Sequence, residues 1–185
     1  MKLTEKTIAS QPHFQGNVIN LRVDTVELEN GATATREIIE HPGGVCVIGM
    51  DHEGKVLMVR QFRAPFQRPL LEVPAGKLNY GEDPLECGKR EFLEETGFLA
   101  EEYISFGQLY PSVGFLTEVI HIYYAKGLVK KEQHLDEDEF LDVERYTPED
   151  LFQMVEENEI KDAKTVVAIL KLQNYLRKNN EVNLC

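Results

Sequence analysis

At 185 residues the chain can bury one well-packed domain with a small surplus. Its net charge of −12 argues against nucleic acid or an anionic membrane as partner. No apolar run approaches the ~18 residues of a membrane-spanning helix, and the polar start MKLTEKTIAS lacks a signal-peptide core, so a cytoplasmic protein is expected. The three cysteines, Cys46, Cys87 and Cys185, have no metal-binding spacing. Cys46 falls in a strand pattern and Cys87 in a helix, so both read as buried free thiols.

Residues 17–28 (NVINLRVDTVEL) alternate with period two, and 33–41 resume the pattern after the Asn30-Gly31 turn. Residues 1–41 therefore read as a small, hairpin-rich N-terminal β subdomain. His41-Pro42-Gly43-Gly44 separates it from a second domain over 42–185. There GVCVIGM (44–50) and KVLMVRQF (55–62) flank the turn Asp51–Gly54 as a second hairpin. LLEVPAG (70–76) is a short buried strand, and 103–110, 118–127 and 139–146 read as further strands, with Gly107 placed for a bulge. Thr147-Pro148-Glu149-Asp150 opens a helix by its capping pattern, and 163–178 carries Val166, Val167, Leu170 and Tyr175 at helical spacing. Strands in the middle with helices after 70–76 and at the C-terminus give an α+β sandwich, a mixed sheet covered by helices.

The stretch from Gly76 to Phe98, GKLNYGEDPLECGKREFLEETGF, holds the chemistry. Asp83 caps a helix, Pro84 suits its first position, and Gly97 suits a left-handed stop. Glu91, Glu94 and Glu95 share one face of that helix, about one turn long. Like charges at this spacing destabilise a helix alone, so a positive group must compensate, and hard cations such as Mg²⁺ favour carboxylate oxygens. Leu85, Gly88 and Phe92 form the opposite stripe, which packs on a core. Glu82 is explained nearly as well by a solvated surface position.

This segment resembles the Nudix box, Gly-x5-Glu-x7-Arg-Glu-(apolar)-x-Glu-Glu-x-Gly-(apolar), at Gly76, Glu82, Arg90, Glu91, Phe92, Glu94, Glu95, Gly97 and Phe98. The resemblance implies a Nudix α/β/α sandwich and metal-dependent hydrolysis of a nucleoside diphosphate linked to another moiety. It implies Mg²⁺, or Mn²⁺ in its place, on Glu91, Glu94, Glu95 and the main-chain carbonyl of Ala75. Arg90 would hold the neighbouring glutamates.

Over residues 14–176 the chain is similar to the ADP-ribose pyrophosphatase branch of that family. The likeness rests on Arg36-Glu37 in ATREIIEHPGGV, Gln61-Phe62-Arg63, the loop Ser112–Glu118, and DAKT at 162–165. It implies that Arg36 and Glu37 serve the adenine end, Arg63 a phosphate and Glu118 the ribose, with Phe14 a candidate to stack on the base. The general base of this branch comes from an acidic loop, here within KEQHLDEDEF (131–140). Alignment puts Glu137 as base and Glu139 as metal ligand or auxiliary acid. One departure stands out: Val113 occupies the place of the branch's usual proline, and Pro111 lies two residues earlier. The implied activity is hydrolysis of ADP-ribose to AMP and ribose 5-phosphate. The alternatives are another nucleoside diphosphate sugar such as GDP-mannose, or a non-catalytic Nudix-fold sensor. The branch also implies a homodimer with exchanged N-terminal strands and composite sites.

Overall fold

The computed structural model describes residues 3–135 and 139–179. They gather into two compact units. One is the chain up to Gly43 together with Tyr110–Val119; the other is Gly44–Leu109 and the chain from Ile120 onward.

The first unit is a three-stranded antiparallel sheet of β1 (Lys6–Gln15), β2 (Asn20–Glu27) and β3 (Thr33–Glu40), in that order. The β2–β3 hairpin turns at Gly31, whose φ of +80° suits the Asn-Gly turn read from sequence. Strand β1 was not legible. Every residue of KTIASQPHFQ is exposed, so no buried face imposes a period-two pattern on it. Segment 110–119 adds to the free edge of β3. Ile39 N–H donates to Phe115 C=O at 2.7 Å, and Thr117 N–H donates to Ile39 C=O at 3.0 Å.

The second unit is an α/β/α sandwich. Its sheet runs β10 (Leu141–Tyr146), β5 (Val56–Arg63), β4 (Gly44–Met50), β9 (Ile120–Lys130), β8 (Phe98–Leu109). Only β4 and β9 pair in parallel, so the sheet is mixed as expected. Strand β8 takes its bulge at Gly107, where the register slips and φ is +91°. The hairpin turn after β4 is closed by Asp51, whose Oδ1 accepts from Glu53 N–H (2.9 Å) and Lys55 N–H (3.0 Å).

The single strand expected over 70–76 is two. β6 (Arg68–Glu72) pairs with β5 and β7 (Ala75–Lys77) pairs with β4. Val73 and Pro74 carry the chain from one partner to the other. Proline lacks the N–H a continuous ladder would need, while its carbonyl accepts from Val47 N–H at 2.9 Å.

Alternation along the central strands divides the core. Val45, Val47 and Leu57 face α1 (Pro84–Thr96) with Cys87 and Phe92. Cys46, Ile48, Val56 and Met58 face α2 (Pro148–Glu156) and α3 (Ala163–Lys178), with Leu151, Ile169, Leu172 and Leu176. Helix α1 lies close on the sheet at Gly88, where a Cβ would stand 3.0 Å from Val45 Cγ2. Both buried cysteines are free, and burial pushes each thiol up to about 12. No described helix is long and apolar enough to cross a membrane.

Candidate active site

Helix α1 begins and ends as its sequence dictates. Asp83 accepts from Leu85 N–H (2.9 Å) and Glu86 N–H (3.1 Å), Pro84 follows, and Gly97 closes the helix at φ +73°. With Gly88 and Phe92 buried against the sheet, the acidic face turns toward the short strand β7.

A cleft of about 500 Å³ opens there, lined by Gln61 and Arg63 of β5, Ala75–Lys77 of β7, Asn79, Arg90, Glu91 and Glu95 of α1, and Glu139. Glu95 is 2% exposed, and Ala75 N–H donates to its Oε2 at 3.1 Å. Burial pushes its carboxyl up to about 8 against that hydrogen bond, and the charges of Glu91 and Glu139 add to the rise. Burial also raises Glu91, opposed by Arg90 and reinforced by Glu94 and Glu139. The Arg63 charge works against that rise, so this carboxylate, dry and beside two others, is only partly compensated. Carboxylate oxygens are the donors that hard divalent cations favour, although among the described residues no three acidic, histidine or cysteine side chains form a group that could hold one.

The compensating charge demanded by the acidic face is Arg90. Its Nη1 donates to Glu91 Oε1 (2.8 Å) and Glu94 Oε2 (3.1 Å), and its Nε and Nη2 to Glu82 Oε1 (3.3 and 3.2 Å). Glu82 is therefore no solvated surface acid. It is half-buried, takes the Asn79 N–H at 2.8 Å, and anchors the far side of the guanidinium. Gly76 has a steric reason: a Cβ there would lie 1.9 Å from Glu91 Cδ.

Arg63 presents a planar fork to the cleft wall, and Glu72 grips it with Nε–Oε1 at 2.6 Å and Nη2–Oε2 at 2.8 Å. Glu72 is 2% exposed and also accepts from Lys164 of α3. Sequence reasoning missed both Glu72 and Lys164. The signal was the DAKT segment itself: Asp162 caps α3, Thr165 Oγ1 accepts from Val73 N–H (3.0 Å), and Lys164 reaches Glu72.

The structure thus brings Ala75, Arg63, Arg90, Glu91, Glu95 and Glu139 to one cleft, with Glu94 tied to it through Arg90. Glu137 lies outside the described residues. The other candidates belong to the first unit. Arg36 pairs with Glu5 and donates to Thr35 C=O, Glu37 is exposed opposite Val23, and Phe14 is half exposed. Glu118 stands 3.6 Å from His41 Nδ1, in the edge segment that Ile39 anchors.

Comparison with known proteins agrees with this architecture. Residues 40–168 match the model of the NUDIX domain, and residues 5–39 match that of the nucleoside diphosphate sugar hydrolase N-terminal domain. The chain is 46% identical over 173 residues to an ADP-ribose pyrophosphatase of Bacillus subtilis, covering 92% of this chain and 94% of that protein. It is 47% identical over 171 residues to a methanol dehydrogenase activator of Bacillus methanolicus, covering 91% and 92%. A crystal structure of an ADP compounds hydrolase superposes with a TM-score of 0.85 at 18% identity, covering 96% of this chain and 97% of the other, a likeness of fold. With the acid-lined cleft in place and 40–168 matched throughout, the chain belongs to the NUDIX domain family.

Proposed function

We propose that this protein hydrolyses the diphosphate bond of ADP-ribose, giving AMP and ribose 5-phosphate, with Mg²⁺ as its metal. The observation that carries the reading is the meeting of buried Glu95, Glu91 and the Arg63 fork in one cleft. Such a cleft offers carboxylates for cations and a fork for a phosphate. The likeness to the ADP-ribose pyrophosphatase of Bacillus subtilis supports the choice of substrate.

Glu91, Glu94 and Glu95, with the Ala75 carbonyl, would hold the divalent ions. When bound, these would polarise the phosphoryl oxygens and make water acidic enough to attack at neutral pH. The chain's own residues do the remaining work. Arg90 keeps Glu91 and Glu94 in place through its hydrogen bonds. Arg63 orients a phosphate by its two-pronged geometry. Glu137 takes the proton of the attacking water, and Glu139, already in the cleft, assists as a second acid.

Residues 1–41 act as a subdomain for dimerisation and substrate contact. Arg36 and Glu37 serve the adenine end, Phe14 stacks on the base and Glu118 meets the ribose. The match of residues 5–39 to a nucleoside diphosphate sugar hydrolase N-terminal domain supports this role, as does a strand β1 exposed along its whole length. The deciding experiment is a panel of nucleotide sugars with and without Mg²⁺, read as phosphatase-susceptible product. ADP-ribose should be split fastest, and only with the metal. Faster turnover of GDP-mannose would replace the substrate, and no product from any member would overturn the activity.

A further inference from the structure

From the ion pairs behind the cleft we infer that Lys164, on the helix layer opposite α1, is a positioning residue for the Arg63 fork. The inference rests on the reading of Arg63 as the phosphate-binding group. The charges form an alternating chain that starts at the cleft. The Arg63 guanidinium grips Glu72, Glu72 accepts from Lys164, and Lys164 donates to Asp162 Oδ2 at 2.9 Å. Asp162 in turn accepts from Thr165 N–H (3.1 Å) and Thr165 Oγ1 (2.6 Å) as the N-cap of α3, so the positive end of the helix dipole absorbs part of its charge.

This order matters for Arg63. Glu72 is 2% exposed, and water cannot temper its charge there. Were Arg63 its only cation, an incoming phosphate would compete with a buried carboxylate for the same guanidinium. Lys164, with its side chain 13% exposed, supplies the second positive charge. Glu72 can then hold the fork in a fixed direction while its negative charge is met from behind. Arg63 therefore faces the cleft both oriented and cationic. The segment DAKT thereby gains a reason beyond capping: one residue caps, one docks on Val73, and one sets the charge at the site.

The test compares Lys164→Gln, Lys164→Met and Lys164→Arg. Gln keeps a hydrogen-bond donor without charge, Met keeps the packing volume, and Arg keeps the charge. Two quantities are read: steady-state KM and kcat for ADP-ribose, and calorimetric affinity in Mg²⁺ buffer for its non-hydrolysable α,β-methylene analogue. Gln and Met should raise KM and weaken the analogue by about tenfold while kcat changes little, and Arg should restore both. A KM and an affinity unchanged in folded Lys164→Gln would overturn the inference, as would equal losses in all three variants. Should Met fail to fold, the Gln and Arg pair decides alone. Because affinity is read without turnover, a wild type inert on ADP-ribose would sink the proposed activity, and the affinity comparison would still decide the role of Lys164.

Discussion

Gly76 and Glu91 leave no room for a side chain between them: a methyl at Gly76 would fall 1.9 Å from Cδ and 2.2 Å from Oε1 of Glu91. The atoms it would strike, Cγ at 2.3 Å as well as Cδ and Oε1, belong to a side chain, not backbone. Gly76→Ala should therefore fold with little loss of stability, because Glu91 can swing aside. It should lose activity heavily, about 10²-fold, since the swing takes a carboxylate out of the cleft. Thermal denaturation beside a turnover assay checks this, and an active Gly76→Ala would show that the position of Glu91 is not needed.

Glu95 gives the metal-free protein a pH dependence with a definite sign. Its folded carboxyl is raised to about 8 by burial, whereas in the unfolded chain it returns to the ordinary value of 4.5. The folded state thus holds a proton that the unfolded state releases. The stability linked to it is complete below about pH 4.5 and is lost as pH rises through about 8. After treatment with a chelator, melting temperature should fall across this window, and Glu95→Gln should flatten the fall. Adding Mg²⁺ to the wild type should release protons and bind more tightly as pH rises. A chelated wild type whose melting temperature is level across the window would contradict the burial argument.

The two acids of the loop separate by kinetics. Glu137→Gln should lower kcat by roughly 10²–10⁴-fold with much less effect on KM, because the water is activated only on the way to the transition state. Glu139 lies in the cleft and raises the carboxyls of Glu91 and Glu95 through its charge, so Glu139→Gln should lower both carboxyls and, by removing a negative charge, weaken metal binding. A normal kcat for Glu137→Gln with collapse in Glu139→Gln would move the base two residues along.

Much of this was legible from residue order. The capped helix of 84–96 and its acidic face, the Asn30-Gly31 turn and the Gly107 bulge all follow from local rules, and each is where the rules put it. Strand β1 escaped because it has no buried side to leave a trace in the sequence. The break at Val73-Pro74 escaped because seven apolar-rich residues look alike whether they serve one neighbour or two. Within the site, Glu91, Glu94 and Glu95 were readable as a group, being one helical turn apart. Glu72 and Lys164 were not: they are distant in sequence, and only the packing of α3 on the sheet end makes them partners.

Assembly is tested by mass and by substrate affinity together. Sedimentation equilibrium should give about 42 kDa, twice the 21.2 kDa chain. Arg36→Ala and Phe14→Ala should each raise KM for ADP-ribose while leaving the catalytic cleft intact. A monomer with normal turnover would sink the dimer, and a dimer with unchanged KM in both variants would sink the shared site alone.

Helix α1 also carries its acids at the wrong pole. Glu94 and Glu95 sit in its last turn, where the helix dipole is negative, and the turn has no basic residue of its own, so Glu94 is met by Arg90 from one turn earlier. The arrangement makes the helix a poor building block and a good receptacle. Selection for thermal hardiness with cations withheld would strip Glu95 from the chain long before it touched Phe92.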